Sequence, residues 1–176
     1  MTCIAVLKDN DDSYYMRADN ITVWGNVIEE RVDKVCKYEN LTLSVTGSMA
    51  IANFIEENIE NIYCIFLNVM SSTKKVNDIR MYLINLFDDN KISHSNDDWD
   101  FNILVIFNNK IYFISNSLHV MPVINNYYAI GAGREIALGA LRYIDQYIRK
   151  EECFDVITEL ENVIKIVSDQ CIYVGV

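Results

Sequence analysis

The chain has 176 residues, about half of them apolar, and a chain of this length buries roughly 70% of its unfolded surface around a hydrophobic core. It contains a single proline, so no stretch has the composition of a disordered linker. The formal net charge of −10 repels phosphate backbones, which argues against nucleic acid as a partner.

No segment has the composition needed to cross a membrane or to direct secretion. The most apolar stretch, Tyr63–Met70, is much shorter than the ~20 residues of a membrane helix. The apolar run Ile4–Leu7 is also short, and the polar run Lys8–Asp12 follows it at once, unlike a signal peptide. We therefore expect a cytoplasmic protein with no membrane partner.

The cysteines are Cys3, Cys36, Cys64, Cys153 and Cys171. Their number is odd, none forms a CxxC pair, and the chain has only two histidines. This pattern favours buried thiols of a cytosolic protein over a disulfide framework or a zinc site.

Strand patterns fill the first part of the chain and return after residue 100. Within Thr2–Leu7, side chains alternate so that Cys3, Ala5 and Leu7 share one face. Mixed short strands with a Gly25-Asn26 turn are predicted between Ile21 and Lys37. The remaining predicted strands are Ser13–Ala18, Leu41–Thr46, Phe101–Phe107, Lys110–Ser115, Tyr127–Ile130 and a short one near Ile172.

Helical spacing of apolar residues begins at Met49, with Ser48 as a candidate N-cap. A second helix is predicted at about Lys75–Phe87, followed by a polar loop over Asp88–Asp100. Asparagine tolerates positive φ, so Asn108-Asn109 is predicted to form a hairpin turn. Two more helices are predicted after Gly133, with these apolar stripes: Ala137, Leu141, Ile144 and Ile148, then Val156, Leu160, Val163 and Val167.

The order of elements is strands, two helices, strands and two helices again. Such an order predicts a sandwich of sheets flanked by helix layers, and its hairpins argue against a doubly wound parallel sheet. Neither an internal repeat nor a domain boundary is evident, so residues 1–176 are predicted to form a single domain.

Several short segments, in this order, resemble landmarks of proteasome β-type subunits. They are Thr2-Cys3-Ile4-Ala5-Val6, Ala18-Asp19-Asn20, Gly25-Asn26-Val27, Asp33-Lys34-Val35 and Thr46-Gly47-Ser48-Met49-Ala50. Two later segments are most similar to HslV, the bacterial peptidase partnered by an unfoldase: Tyr128-Ala129-Ile130-Gly131-Ala132-Gly133 and Asp169-Gln170-Cys171-Ile172-Tyr173. The resemblance implies an α+β fold, the four-layer αββα sandwich of N-terminal-nucleophile hydrolases.

Thr2 is the candidate nucleophile. A threonine hydroxyl needs a base at neutral pH. Removal of Met1 would free an α-amine on the same residue, with an ordinary pKa of about 7.7–8.0. Thr2 could then supply both nucleophile and base. The alternative is that Thr2 is simply the first residue of a strand.

The resemblance assigns Lys34 as the catalytic lysine and Asp19 as the carboxylate that orients it. An ammonium near the nucleophile stabilises alkoxide and lowers the pKa of the amine. Solvated surface charges are the alternative for both residues, and Asp33 is a second candidate partner for Lys34. Gly47 lies where a strand gives way to a helix, so its N–H is a candidate oxyanion donor; an ordinary turn glycine is the alternative.

The resemblance also gives Ala132 and Asp169 supporting positions. Ala132 stands where the family usually has a serine whose hydroxyl relays a proton near the N-terminal amine. Ser168, Cys171 and Val174 match positions whose backbone carbonyls bind a monovalent or divalent cation in HslV-like relatives, although a plain C-terminal strand is the alternative. No cofactor is expected to be required.

The leading hypothesis is a threonine endopeptidase acting on proteins or peptides. The resemblance implies a homo-oligomeric ring fed by an ATP-dependent unfoldase. Two alternatives stay open. Ala132 favours a catalytically inactive assembly or interaction module, and an amidase of the same fold acting on small molecules is the other.

Overall fold

The fold is described from a computed structural model, which covers residues 2–19, 21–24, 27–30, 34–72, 76–92, 101–150 and 153–174. For residues 21–24, 27–30 and 170–174 only the backbone is described. The predicted turn at Gly25-Asn26, the alternative partner Asp33 and most of the predicted loop before Phe101 lie outside these residues.

The described residues form ten strands and five α-helices. The strands are β1 (Cys3–Lys8), β2 (Tyr14–Ala18), β3 (Ile21–Trp24), β4 (Val27–Glu30), β5 (Val35–Tyr38), β6 (Leu41–Gly47), β7 (Phe101–Phe107), β8 (Lys110–Ile114), β9 (Val120–Val123) and β10 (Tyr127–Gly131). The helices are α1 (Met49–Glu57), α2 (Ile59–Met70), α3 (Asp78–Asp89), α4 (Arg134–Tyr143) and α5 (Val156–Val174), and a π-helical turn, Ile144–Ile148, continues α4.

The chain divides into two compact units. The first consists of Met1–Val35 and Ile124–Val176, and the second of Cys36–Val123.

In the first unit, β1 is the central strand of an antiparallel sheet with the order β10-β1-β2. Every residue from Cys3 to Leu7 is buried. The predicted alternation is confirmed, because Cys3, Ala5 and Leu7 belong to one core with the apolar stripes of α4 and α5. Burying this face fixes the register of β1, since a slip by one residue would turn these side chains to the opposite face.

In the second unit, five antiparallel strands have the order β5-β6-β7-β8-β9. The strand predicted at Phe101–Phe107 is confirmed at both ends. Helices α1, α2 and α3 share a core with β6 and β7, and aromatic rings fill its centre: Phe66 lies 5.4 Å from Phe107 and Phe54 lies 5.1 Å from Phe87 between ring centroids. Asn108 and Asn109 have positive φ angles of 48° and 58°, which confirms the predicted hairpin turn.

Three sequence predictions about elements are corrected. The helical pattern after Met49 is broken at Asn58, whose side-chain amide donates to the Phe54 carbonyl (2.9 Å) and competes with the helix backbone. Helix α3 continues to Asp89 and shortens the predicted polar loop. The strand predicted near Ile172 is wrong, because α5 continues to Val174: each added helical residue gains a backbone bond, whereas a strand requires a partner.

A further strand, β9, was missing from the sequence prediction. It lies at the edge of the five-stranded sheet, where exposed Pro122 is tolerated because an edge strand has unused N–H positions. The expectation of buried thiols also needs correction: Cys3 is buried, but Cys64 and Cys153 are exposed. Among the described residues, no helix combines the length and apolarity required to cross a membrane.

Candidate active site

Thr2 directly precedes β1 and is held by the turn that follows β10. Its carbonyl accepts a hydrogen bond from the Ala132 N–H (2.9 Å). The neighbouring residues Cys3 and Gly131 are paired across the two strands. The backbone of Thr2 therefore extends the β1–β10 ladder, and the chain before β1 is tied to the start of α4.

Asp19 follows β2 on the other side of β1 and is 6% exposed. Its Oδ2 accepts the Cys3 N–H at 2.7 Å, and its own N–H donates to the Cys3 carbonyl at 3.0 Å. This double connection fixes the carboxylate beside the residue that follows Thr2. A buried carboxylate requires such partners, because leaving it without them would be costly.

Lys34, immediately before β5, completes the cluster. Its Nζ lies 2.6 Å from Asp19 Oδ1 and donates to Thr2 Oγ1 at 3.3 Å. The side chains of Lys34 and Asp19 are only 8% and 7% exposed. A charged donor that is fixed and shielded from water stabilises a developing negative charge on oxygen more strongly than an exposed one. The structure thus brings Thr2, Asp19 and Lys34 together.

The turn after β10 is formed by Gly131, Ala132 and Gly133. Gly131 has φ 97°, a conformation that glycine adopts without strain. Ala132 is exposed, and its methyl group can neither donate nor accept a proton. At this position the contribution seen in the structure comes from the backbone N–H, and no side-chain hydroxyl is present to relay a proton.

Gly47 lies in the second unit, at the end of β6 and opposite Phe101 of β7. Its φ of 106° favours glycine. Ser48 occupies the N-cap position of α1 as predicted, although its side chain makes no capping bond. The N–H of Gly47 is thus close in sequence to the positive end of a helix, and its role as an oxyanion donor stays a prediction.

Asp169 is exposed on α5, and the backbones of Ser168, Cys171 and Val174 lie in the same helix. Carbonyls of an α-helix run nearly parallel to its axis, with a rise of about 1.5 Å per residue. Three such carbonyls at a spacing of three residues do not converge on one cation. The helix describes the backbone of these three residues, and the cation site stays a prediction.

Two contributors to this site were not identified from the sequence. The Cys3 N–H holds Asp19, and the buried glycine Gly133 lies against Val167 of α5. The sequence prediction used Gly131-Ala132-Gly133 as the end of a strand and as part of the resemblance to HslV, and it assigned no packing role to Gly133. The available signal of close packing was the second glycine, Gly133, directly after a turn that already contains Gly131.

No protein-family model matches the chain, and no curated protein matches it. Several solved structures match the chain. BPH of Thiobacillus denitrificans in complex with epoxomicin has a TM-score of 0.69 and 18% identity, covering 96% of this chain and 90% of that one. A second structure of BPH from Thiobacillus denitrificans has a TM-score of 0.68 and 17% identity, with the same coverage of both chains.

The eukaryotic HslV from Trypanosoma brucei gives a TM-score of 0.66 and 17% identity, covering 96% of this chain and 91% of that one. At these identities the likeness shows the fold and does not show the activity. The predicted fold class is confirmed: antiparallel sheets with packed helices match these structures over nearly the whole chain. The chain has the fold of HslV and proteasome-like peptidases.

Proposed function

We propose that the chain is a threonine peptidase that cleaves peptide bonds with Thr2 after Met1 has been removed. The observation that supports this most is the 3.3 Å contact between Lys34 Nζ and Thr2 Oγ1, with the same Nζ held 2.6 Å from Asp19 Oδ1. The ammonium of a solvated surface lysine would not be buried and held at these distances from two oxygen atoms. The shared fold with HslV supports a peptidase-type activity but no particular substrate.

In the first half of the reaction, Thr2 Oγ1 attacks the substrate carbonyl carbon and a new C–O bond forms. The hydroxyl proton passes to the α-amine of Thr2, whose ordinary pKa of about 7.7–8.0 suits a base at neutral pH. The tetrahedral intermediate then loses its C–N bond, and the departing nitrogen takes that proton. The product is an ester on Thr2.

In the second half, water attacks the ester carbonyl and gives its proton to the same amine. The C–O bond to Thr2 then breaks, the amine returns this proton to Oγ1, and the acid leaves. Lys34 acts in both halves by stabilising negative charge on Oγ1. Asp19 keeps the Lys34 ammonium in place, and Gly47 N–H is the proposed donor to the oxyanion.

The proposal extends to assembly. Identical copies form a ring whose sites face an inner chamber, and an ATP-dependent unfoldase feeds that chamber. Sedimentation analysis of the purified chain measures the first part: a single closed oligomer supports it, and a monomer that hydrolyses peptides contradicts it.

One observation favours a second candidate, a catalytically inactive relative that acts in assembly. Ala132 has no hydroxyl to relay a proton near the amine. If the chain is a peptidase, we propose that a bound water relays the proton in place of this hydroxyl. Ala132→Ser should therefore raise kcat if the wild-type relay through water is slower. An inactive wild type that gains no activity from this change favours the second candidate.

Two substitutions at one position test the proposal. Thr2→Ala removes the hydroxyl and Thr2→Ser keeps it, and both leave a small residue after Met1. Intact mass identifies the processed chains, and fluorogenic peptides measure hydrolysis. We expect hydrolysis from the processed wild type and from Thr2→Ser, and a loss to background in Thr2→Ala.

Because BPH of Thiobacillus denitrificans was solved with epoxomicin, this compound is a second probe. We expect a mass increase that peptide mapping assigns to Thr2 and that is absent in Thr2→Ala. Retained Met1, or an inactive processed chain in an assembled ring, would support the inactive relative. A processed chain that hydrolyses small amides but not peptides would support the amidase alternative.

A further inference from the structure

The two glycines beside Ala132 are required for different reasons. Gly131 has a positive φ of 97°, so its backbone conformation favours glycine. Gly133 has φ −86° and ψ 9°, which any L-residue adopts. A Cβ added to Gly133 would lie 2.0 Å from Val167 Cγ1 and 3.4 Å from Cys3 Cβ. Space alone therefore excludes a side chain at Gly133.

This close approach occurs next to the nucleophile. Val167 is 1% exposed and belongs to the apolar stripe of α5, and Cys3 is the residue that follows Thr2. Ala132, directly before Gly133, donates its N–H to the Thr2 carbonyl at 2.9 Å. The Gly133 carbonyl accepts the N–H of Ala137, which anchors the turn to α4.

We propose that Gly133 is a positioning residue for Thr2. The contact between its bare Cα and Val167 sets how close α5 comes to the turn. That spacing holds the Ala132 N–H on the Thr2 carbonyl, and through it the hydroxyl beside Lys34. The catalytic part of this inference rests on the proposed function, because Thr2 has to be the nucleophile for its position to affect a rate.

Gly133→Ala inserts one methyl group into this contact, and because a valine in a helix is stiff at χ1, the turn or α5 has to shift. We expect the Ala132 amide to exchange its hydrogen at least about tenfold faster than in wild type, as local opening exposes it. We expect kcat to fall about 100-fold with little change in KM, the loss typical of a nucleophile displaced by about 1 Å.

Gly139→Ala is the matched control. Gly139 lies in the same helix, α4, and a Cβ there would meet nothing within 4 Å. Alanine is the better helix former, so this variant should be at least as stable as wild type. Its Ala132 exchange and its kcat should be unchanged.

Rescue separates positioning from general damage. Val167→Ala removes Cγ1, the atom that an added methyl at Gly133 would meet at 2.0 Å. We expect the double variant Gly133→Ala/Val167→Ala to recover slow Ala132 exchange and to recover kcat to within about tenfold of wild type. It should stay less stable than wild type, because the core loses apolar contacts.

Amide exchange tests the inference even where peptides are not hydrolysed. A processed wild type without activity contradicts the proposed function. The exchange rates would still test whether Gly133 holds the Ala132 N–H on the Thr2 carbonyl. Unchanged Ala132 exchange in folded Gly133→Ala overturns the inference. If Gly133→Ala does not fold, a folded double variant with slow exchange supports it, and a double variant that is unfolded or exchanges fast overturns it.

Discussion

Strand β1 has a lysine–aspartate ion pair at each end. The two pairs have nearly the same Nζ–Oδ1 distance, but they differ in their burial and in their other contacts. At the start, Lys34 and Asp19 are 2.6 Å apart, with side chains 8% and 7% exposed. At the end, Lys8 and Asp12 are 2.7 Å apart, with side chains 23% and 76% exposed. Distance alone would make them equivalent.

The environment separates them. Water and salt screen the exposed pair, and such pairs contribute little. The buried pair is shielded, and its ammonium also contacts Thr2 Oγ1. The same two residue types therefore form a solvated turn contact at one end of β1 and a candidate catalytic centre at the other. Burial and a third partner distinguish the candidate catalytic pair from the exposed one.

The largest expected effect comes from breaking the buried pair. Lys34→Met keeps the length of the side chain and removes its charge, leaving Asp19 buried without its cation. We expect a loss of about 3–5 kcal/mol in the free energy of unfolding. Peptide hydrolysis should fall by about 10²–10³ in kcat, as for the removal of a donor to a developing charge.

Lys8→Met is the matched control for this experiment. It removes a lysine of the same strand region that has no contact with Thr2, so urea unfolding and kcat should stay close to wild type. Equal losses in the two variants would contradict the distinction between the pairs.

An intermediate effect is expected at the far end of β1, where Arg149 clamps the β1–β2 turn. It donates to Asp145 Oδ1 (3.0 Å), the Asp9 carbonyl (2.7 Å) and Asn10 Oδ1 (3.2 Å). Arg149→Met should cost about 1–3 kcal/mol in the free energy of unfolding, because a half-buried network loses its donor. Because these contacts are at the opposite end of β1 from Thr2, kcat should not change. A fall in kcat matching that of Lys34→Met would contradict this.

The smallest effect is expected from Asp12→Asn. The hydrogen bond from Lys8 lowers the pKa of Asp12 below its ordinary 3.8, and the bond to Asp12 raises the pKa of Lys8 above 10.5. A carboxylate with a lowered pKa stabilises the fold above its unfolded value and loses this contribution as pH falls through its folded value. A lysine with a raised pKa loses its contribution only as pH rises through its folded value.

The difference in melting temperature between wild type and Asp12→Asn should therefore be small and constant from pH 5 to pH 9. It should begin to shrink below the ordinary pKa of 3.8 and disappear as the pH falls through the lowered folded value, and high salt should reduce it throughout. A difference that grows on acidification would show that the sign of the Asp12 shift is wrong.

Long apolar patterns were the predictable part of the fold. Phe101–Phe107 is a nearly continuous apolar strand, and its limits follow from the sequence alone. The short strand β9 was not predicted, because four residues including Pro122 carry no strand pattern and depend on pairing with β8. The end of α5 was misread for the opposite reason: its β-branched and aromatic residues favour a strand locally, whereas the helix continues through them.

The sequence named the residues of the candidate site, but it could not give their contacts. Thr2, Asp19 and Lys34 were named from the order of short segments, but their meeting depends on β2 and the chain before β5 returning to one end of β1. The backbone bonds from Cys3 and Ala132 could not be foreseen, because every residue offers the same N–H and only register decides its partner.

The most direct test uses the same sequence prepared with two N-termini. One preparation begins at Met1, and a cleavable fusion releases the other at Thr2. Since the proposed base is the α-amine of Thr2, only the second should hydrolyse peptides. Equal hydrolysis by a chain that intact mass shows to retain Met1 would contradict the account.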